Sequence, residues 1–240
     1  MLIDLHAHSS SVSVCCKANL DAVFEKAKQV GLDGVVLTNH YVKNYAKDGD
    51  FKSLARKYME EWDKAQRRAE DIGSKVFFGI EVTMELYIKV HLLIYGVSED
   101  FLEKHLTLFD MTQEEIYSTV KENGGVLVQA HPFRKNIDRL LDTKYLDGIE
   151  ISCHPLYEST HLDRLSEIAY RDGLILTCGG DYHADTHRPK CGMYLPDSIE
   201  NSIDLGKYLV TVDSVKLCVQ EVDSRDTHDV IFTRSKDIRQ

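Results

Sequence analysis

Short apolar segments alternate with helical patterns along most of the chain, and this alternation limits the possible folds more than any other feature. The apolar segments cover residues 2–5, 34–38, 76–80, 90–95, 125–129, 148–152 and 174–178. Apolar residues at helical spacing predict helices over residues 20–30, 51–72, 111–122 and 162–171. Strands that alternate with helical crossovers imply a parallel sheet. We therefore expect an α/β fold with a small, closed or nearly closed barrel, and an open doubly wound sheet is the alternative.

Residues that commonly bind metal ions lie at the ends of most of these predicted strands. The set consists of His6, His8, His40, Glu81, His91, His131, Asp181 and His183. All of them follow a strand except His91, which lies at the start of the segment 90–95. In an α/β barrel the carboxyl ends of the strands converge on one face, where active sites are built. Buried strands tolerate an occasional histidine, but packing does not explain such a recurrence, so we predict a metal centre at this face.

Two pairs in this set have a spacing of two residues, namely His6 with His8 and Asp181 with His183. Residues two apart in a strand point to the same side, so each pair presents two ligand atoms together. A single zinc ion takes about four ligands. The set therefore implies two or three ions, with a carboxylate such as Glu81 bridging them. Imidazole and carboxylate ligands favour Zn, Mn or Fe over Ca or Mg.

The motifs that contain these residues also occur in a known order. They are Asp-Leu-His-Ala-His at 4–8, Thr-Asn-His at 38–40, Gly-Ile-Glu at 79–81, Ala-His-Pro at 130–132 and Gly-Asp-Tyr-His at 180–183. As an ordered set they resemble the PHP (polymerase and histidinol phosphatase) superfamily. The resemblance implies a distorted seven-stranded (β/α)7 TIM-like barrel, two or three metal ions and phosphoester hydrolysis. It also implies that all eight residues of the set bind metal. We expect Glu81, Asp181, His183 and Arg134 to take part in catalysis.

The chain departs from the pattern of this superfamily at three places. Asn39 replaces the usual aspartate before His40, and we expect altered surroundings of the ligands without loss of a ligand. Gly180 stands where serine is common in the last motif. The loop after His8 lacks the usual aspartate or histidine, and Cys15 is the best candidate for that ligand, with an ordinary loop thiol as the alternative. A thiolate at this position would favour zinc.

Two arginines are candidates for binding a substrate phosphate. Arg134 follows the Ala-His-Pro motif, and Arg188 follows the last motif by a few residues. A guanidinium can bind phosphate through two parallel hydrogen bonds, although a surface ion pair is an equal alternative for Arg134. Two further histidines, His154 and His161, follow the predicted strand 148–152. We favour surface roles for both.

The function that these features predict is a metal-dependent phosphoesterase, which is a hydrolase. Its substrate would be a small phosphomonoester, such as a sugar phosphate, an amino-alcohol phosphate like histidinol phosphate, or a nucleotide, attacked by metal-activated water. One alternative is a nuclease or oligonucleotide phosphodiesterase with the same site, which would need a basic or aromatic groove. The other is a non-catalytic, metal-binding regulatory barrel, in which we would expect ligands to be missing.

Charge and composition narrow the setting in which the protein works. The formal net charge is -10 over 240 residues, and this argues against nucleic acid as a partner because such binders present a basic face. No apolar run approaches the ~20 residues of a membrane helix, and the N-terminus lacks the pattern of a signal peptide. The six cysteines include no Cys-x-x-Cys pair, which indicates reduced thiols. We expect a cytoplasmic protein with a single barrel domain over residues 1–240, in which the part from about 213 is an edge strand or a tail.

Overall fold

The computed structural model describes residues 1–85, 89–136, 138–184 and 186–235. The strands in this part of the chain are β1 (Leu2–Ala7), β2 (Gly34–Leu37), β3 (His40–Tyr41), β4 (Lys75–Met84), β5 (Val90–Tyr95), β6 (Val126–Gln129), β7 (Gly148–Ser152), β8 (Ile175–Gly179), β9 (Gly192–Tyr194), β10 (Ser214–Gln220) and β11 (Thr227–Thr233). The helices are α1 (Leu20–Gln29), α2 (Phe51–Ile72), α3 (Phe101–Lys104), α4 (Gln113–Glu122), α5 (Leu162–Arg171) and α6 (Ser202–Thr211).

These strands form one mixed sheet that curves into a nearly closed barrel. Ten of them follow one another in the order β11-β10-β9-β1-β2-β4-β5-β6-β7-β8, and β3 pairs with β4 beside this path. The sheet curls so that the end of β8 returns to β1. Backbone hydrogen bonds then join His8 N to Tyr182 O at 3.3 Å and Tyr182 N to His6 O at 3.4 Å. The predicted α/β class and barrel shape are thereby confirmed.

The strand that contains His91 runs against its neighbours, contrary to the prediction of a wholly parallel sheet. β4 and β5 pair antiparallel, with Thr83 opposite His91, and β5 also pairs antiparallel with β6. The physical reason is the short connection, because parallel strands need a crossover of a dozen or more residues. As a consequence, the start of β5 lies at the same end of the sheet as the carboxyl ends of its parallel neighbours. His91 therefore reaches the predicted metal face from the first part of its strand.

The sheet also continues beyond the seven predicted strands, so a (β/α)7 barrel does not describe the part of the chain seen in the structure. β9 pairs antiparallel with β1, β10 pairs antiparallel with β9, and β11 pairs antiparallel with β10. The predicted edge strand or tail from about residue 213 is a β10–β11 hairpin. β9 is only three residues long and β11 is mostly exposed, so neither shows the continuous apolar run of a buried strand.

Most helices have the ends that their sequences encode. Asp50 caps α2 by accepting a hydrogen bond from Ser53 N, and Gly73 ends the helix in the left-handed conformation with φ 66°. Thr112 and Glu115 form a capping box at the start of α4. None of the helices in the described residues combines the length and apolar composition that a membrane crossing requires.

A close approach of two glycines lets α6 pack on the outside of β5. Gly96 follows β5 with φ +73°, and a Cβ atom placed on it would lie 2.5 Å from the Cα of Gly206 in α6. Any larger residue at either position would therefore separate the helix from the sheet. The core on both sides of the sheet is apolar, and many of its polar exceptions are histidines and carboxylates of the predicted metal face.

Candidate metal centre

The first strand places two histidines side by side inside the barrel. His6 and His8 are fully buried, and their Nε2 atoms lie 3.0 Å apart. The Nδ1 atom of His6 lies 2.9 and 3.1 Å from the two carboxylate oxygens of Glu150 on β7. Because a carboxylate only accepts hydrogen bonds, Nδ1 of His6 carries the proton and Nε2 is left as a ligand atom.

A serine in the following loop fixes the second imidazole in the same way. The hydroxyl of Ser13 donates to Asn39 Oδ1 at 2.9 Å, so its proton is already committed. Ser13 Oγ also accepts from the backbone N–H of His40 at 2.9 Å and lies 3.2 Å from His8 Nδ1. Nδ1 of His8 must then be the donor in this contact. The Nε2 lone pair of His8 consequently faces the centre, opposite that of His6.

Glu81 on β4 occupies the middle of the cluster and is fully buried. Its carboxylate oxygens lie close to five imidazole nitrogens. The distances are 2.5 Å to His40 Nδ1, 2.8 Å to His91 Nδ1, 3.4 Å to His6 Nε2, 3.4 Å to His8 Nε2 and 3.5 Å to His131 Nε2. The carboxylate of Glu81 therefore lies among the possible ligand atoms of five imidazoles.

Asp181 and His183 close the cluster from the end of β8. Asp181 Oδ1 lies 3.1 Å from His8 Nε2 and 3.4 Å from His183 Nδ1. Its other oxygen, Oδ2, accepts a hydrogen bond from the hydroxyl of Tyr157 at 2.5 Å. Both Asp181 (φ 46°) and His131 (φ 29°) have positive backbone φ values, which cost free energy and are typical of functional sites.

The predicted ligands form several overlapping groups in which the ligand atoms lie within 4.8 Å of one another. These groups are His6 with Glu81 and His131, His6 with His8 and Asp181, His40 with Glu81 and His91, and His8 with His40 and His183. The structure therefore brings all eight members of the predicted set together at one end of the barrel.

Cys15 lies beside the outermost of these groups. Its thiol is hydrogen-bonded to His183 and His40, and the hydroxyl of Tyr45 lies 3.8 Å from its Sγ atom. Partial burial raises the pKa of Cys15, but the hydrogen bonds with the two histidines outweigh this effect and lower it to about 6. The thiol is thus in the place that the sequence indicated for a further ligand.

The charges in the cluster are strongly coupled. Burial lowers the pKa of His131 to about 4. Burial acts in the same direction on His40, but the charge of Glu81 and the contact with Cys15 outweigh it and raise the pKa to about 10. For Glu81 and Asp181, burial favours the neutral acid, yet the surrounding imidazoles hold the pKa of both carboxyls well below their usual range. Both carboxylates are therefore ionised at neutral pH.

Three buried side-chain atoms in the cluster lack hydrogen bonds to the residues that the structure describes, and this indicates whether the cluster fits metal ions. His40 Nδ1, Glu81 Oε2 and His131 Nε2 have no hydrogen-bond partner within the described residues, although His40 and Glu81 are in close contact. Buried polar atoms without a partner are costly. Since the lone pairs of His6 and His8 also face each other, a cation between these groups satisfies atoms that the protein leaves unpaired. The donor set of imidazoles and carboxylates fits divalent transition-metal ions.

The two arginines have different surroundings. Arg134 is half-buried and hydrogen-bonded to Tyr157, which brings it to the edge of the cluster. Arg188, in contrast, is buried, and its guanidinium lies 2.5 Å from Asp4 Oδ2 and stacks over the ring of Tyr182. The structure therefore gives Arg188 a partner other than the predicted substrate phosphate, because its charge is paired with Asp4 inside the barrel.

Other residues of the site carried a weak signal in the sequence or none. Glu150 is a charged residue inside an apolar strand, and this is a signal that could have been used. Gly179 at the end of β8 faces His6 and Glu150. A Cβ atom on Gly179 would lie 2.5 Å from the Cβ of His6 and 2.7 Å from Glu150 Oε1, so β8 needs glycine at this position. His154 was expected at the surface, but it is buried with its ring stacked on Tyr157 at 4.7 Å.

Comparisons with known proteins agree with this geometry. The model of the PHP domain family matches residues 4–191 of the chain. No curated protein sequence matches it.

Solved structures with the same fold have low sequence identity. A candidate metal-dependent phosphoesterase from Bifidobacterium adolescentis has a TM-score of 0.55 and 19% identity, over 88% of this chain and 96% of that one. A two-domain protein from Bacteroides vulgatus, which contains a predicted PHP-like metal-dependent phosphoesterase, has a TM-score of 0.58 and 15% identity, over 97% of this chain and 65% of that one. An amidohydrolase from Chromobacterium violaceum, solved with sulfate and no metal, has a TM-score of 0.54 and 18% identity, over 82% and 93% of the two chains.

Proposed function

Because the chain belongs to the PHP domain family, we propose that it is a metal-dependent phosphoesterase that hydrolyses a small phosphomonoester. The observation that carries the proposal is the position of Glu81, whose carboxylate contacts five imidazoles at the centre of the cluster. We assign two or three divalent ions, Zn, Mn or Fe, to the overlapping groups of ligands. Such ions supply positive charge that activates water and attracts the phosphoryl oxygens.

The residues of the chain hold and orient this centre. Glu150 and Ser13 keep the protons of His6 and His8 on Nδ1, so that both Nε2 atoms remain available. The hydroxyl of Tyr157 donates to Asp181 Oδ2 and so directs the other oxygen of this carboxylate towards His8. His183 is the partly exposed member of the pair Asp181 and His183, and we propose that a substrate enters on its side of the cluster.

Arg134 is our candidate for the group that binds the substrate phosphate. It lies at the edge of the cluster beside Tyr157. Burial lowers the pKa of His91, and the nearby charge of Arg134 lowers it further. A guanidinium at this place adds positive charge to a protein whose net charge is -10. It can bind two phosphoryl oxygens at once.

We extend the proposal to the setting of the enzyme. The partner is a small phosphorylated molecule of the cytoplasm, and neither a nucleic acid nor a membrane. Cys15 is proposed as a ligand of the group formed by His8, His40 and His183, where its thiolate favours zinc.

A second candidate is the hydrolysis of amides, which is favoured by the likeness in fold to the amidohydrolase from Chromobacterium violaceum. Water activated in a cluster of this kind attacks carbonyl carbon as well as phosphorus. The two candidates require different substrates and are therefore separable in one screen.

A screen of phosphate release tests the proposal. Purified protein is loaded with Zn²⁺, Mn²⁺ or Fe²⁺ and assayed against a panel of phosphomonoesters, phosphodiesters, dinucleotides and amides. We expect inorganic phosphate from at least one monoester, and little turnover of the diesters. The matched control is Glu81→Ala, which should be the most damaging single change because it misplaces two ions at once. Metal-loaded protein that turns over only amides or only diesters, or nothing in the panel, contradicts the proposal.

A further inference from the structure

Three cysteines converge in the core outside the histidine cluster. Cys153 directly follows β7, Cys178 lies in β8, and Cys191 precedes β9. Their exposed fractions are 1%, 0% and 0%, and all three are free thiols. Their Sγ atoms lie within 4.8 Å of one another, and those of Cys153 and Cys178 are 3.7 Å apart. We propose that this triad supplies three sulfur ligands to one thiophilic divalent ion, of which Zn²⁺ is the expected example, as a site separate from the proposed catalytic centre.

The spacing of the sulfur atoms agrees with such a site. Two thiolates on a tetrahedral zinc ion, each at ~2.3 Å, have sulfur atoms roughly 3.8 Å apart. The contact between Cys153 and Cys178 already has this length. Buried thiols in van der Waals contact reach similar distances, so spacing alone does not distinguish a metal site from plain packing. The hydrogen bonds around the sulfur atoms supply the second argument.

Two backbone groups from β10 are directed at the triad. The N–H of Gln220 donates to the sulfur of Cys153, and an N–H group stabilises a thiolate more than a thiol. The thiol of Cys178 lies 3.4 Å from the carbonyl oxygen of Cys218 and donates to it. This contact favours the protonated thiol, so an ion has to displace the proton of Cys178 when it binds. The N–H of Gln220 is therefore the polar contact that favours a sulfur ligand, and it acts on Cys153.

Charge decides which class of ion the triad takes. On binding, each of the three S–H groups gives its proton to solvent, and each sulfur forms one bond to the ion. A divalent ion leaves one negative charge uncompensated in the core, whereas a monovalent ion leaves two. Since uncompensated buried charge is costly, the divalent ion is favoured. Thiolate ligands exclude the hard ions Mg²⁺ and Ca²⁺.

The position of the triad indicates a structural role. The site joins the end of β7, the middle of β8 and the segment that enters β9. It therefore fastens the antiparallel extension of the sheet to the parallel part. Because the sulfur atoms are closed to solvent, the ion has to enter while the chain folds.

Cobalt substitution tests the site independently of any enzymatic activity. The protein is expressed in cobalt-supplemented medium as a Cys15→Ser variant, which removes the sulfur atom next to the histidine cluster. We expect this protein to show the near-ultraviolet charge-transfer absorption of thiolate-bound cobalt. A further Cys191→Ser or Cys178→Ala change should abolish this absorption and lower the metal content by one equivalent per chain. The matched control is Cys218→Ser, which changes a buried thiol on β10 outside the triad and should keep both.

A second measurement leaves the triad intact and so does not depend on how its variants fold. X-ray absorption at the zinc edge of the zinc-loaded Cys15→Ser protein should show sulfur neighbours at ~2.3 Å. Zinc that has only nitrogen and oxygen neighbours would overturn the proposal. The same conclusion follows if the cobalt protein lacks thiolate absorption or if the triad variants keep the full metal content. None of these results bears on whether the histidine cluster hydrolyses phosphoesters.

Discussion

Asn39 connects the histidine cluster to helix α2 through a chain of side-chain hydrogen bonds. Its Oδ1 accepts from Ser9 N at 2.8 Å and from Ser13 Oγ at 2.9 Å, and its Nδ2 donates to Ser9 Oγ at 3.0 Å. The hydroxyl of Ser9 in turn donates to the buried Glu61 at 2.8 Å. An amide suits this position because it accepts on one side and donates on the other. The sequence indicated altered surroundings here, and the network shows what the alteration is.

The first prediction concerns this amide. Asn39→Asp removes the donor to Ser9 and adds a buried negative charge near Glu61. A buried polar group left without its hydrogen bond, here the hydroxyl oxygen of Ser9, costs about 1–3 kcal/mol. We therefore expect a loss of this size in the free energy of unfolding measured in urea. The matched test is the double variant Asn39→Asp/Glu61→Gln, in which the new amide can donate to Ser9. A double variant no more stable than the single one would contradict this account of the network.

The second prediction concerns Arg134 and the substrate. If Arg134 binds the phosphate and no metal ion, Arg134→Ala should leave the metal content unchanged and lower kcat/KM. A hydrogen bond to a charged group contributes ~1.5–3 kcal/mol, which corresponds to roughly ten- to a hundred-fold. Arg164→Ala is the control, because that guanidinium packs over Phe133 and pairs with Asp138 at the surface. Equal kinetics in both variants and the wild type would remove Arg134 from the site.

Individual ligands could be predicted because histidine and acidic residues stand out within apolar strands. Tyr157 could not, since it lies in an irregular segment and tyrosine is common in loops. The ion pair of Arg188 could not be predicted for a related reason. Its partner, Asp4, is distant in sequence, and only the folded barrel shows that the two charges pair at 2.5 Å.

At the scale of elements, the existence and order of the seven main strands followed from their apolar patterns, whereas their directions and partners did not. A strand pattern carries no direction, so the apolar pattern alone does not indicate that β5 runs antiparallel to β4. The strands β9 to β11 were not predicted from apolar patterns, because they are held in the sheet by strand pairing and not by apolar content. The loop between β1 and α1 contains no helix or strand. Its proposed contribution to the site is the thiol of Cys15.

The third prediction concerns that loop. Cys15→Ala should weaken metal binding at the group formed by His8, His40 and His183, and the effect should exceed the ~10–100-fold that is typical of losing an outer partner of a ligand. Cys16→Ala is the matched control, because this neighbouring thiol is buried and directed at the carbonyl of His8, 3.3 Å away. Metal content and affinity are measured by elemental analysis and competition with a chelator. Identical values for both variants would make Cys15 an ordinary loop thiol.

At the scale of the whole molecule, loading the centre with metal should release protons. Burial lowers the pKa of His40 and His183, but nearby negative groups outweigh it and raise the values to about 10 and 9. At pH 7.5 both imidazoles are therefore protonated before metal binds. Burial also lowers the pKa of His6, but the charges of Glu150, Asp181 and Glu81 outweigh it and raise the pKa well above its usual range, so coordination displaces protons from all three imidazoles. The pKa of Cys15, near 6, means that this thiol is already ionised and releases none.

The fourth prediction follows from these values. The apparent affinity for metal should weaken as the pH falls from 9 to 7, by roughly tenfold per pH unit for each proton released. Calorimetric titrations of metal-free protein in two buffers with different heats of ionisation count these protons directly. Metal binding whose heat is independent of the buffer, with an affinity that is flat over this range, would show that His40 and His183 are neutral before loading.

The spread of the ligands along the chain has a consequence for synthesis on the ribosome. A nascent chain that has emerged only as far as β7 carries six of the eight residues, and it still lacks Asp181 and His183. β1 must also wait, because one of its two neighbours is β9. The earliest strand is therefore completed by one of the latest. Under the proposed function, the complete set of ligands therefore exists only late in synthesis, and a chain that terminates before residue 181 lacks part of the set.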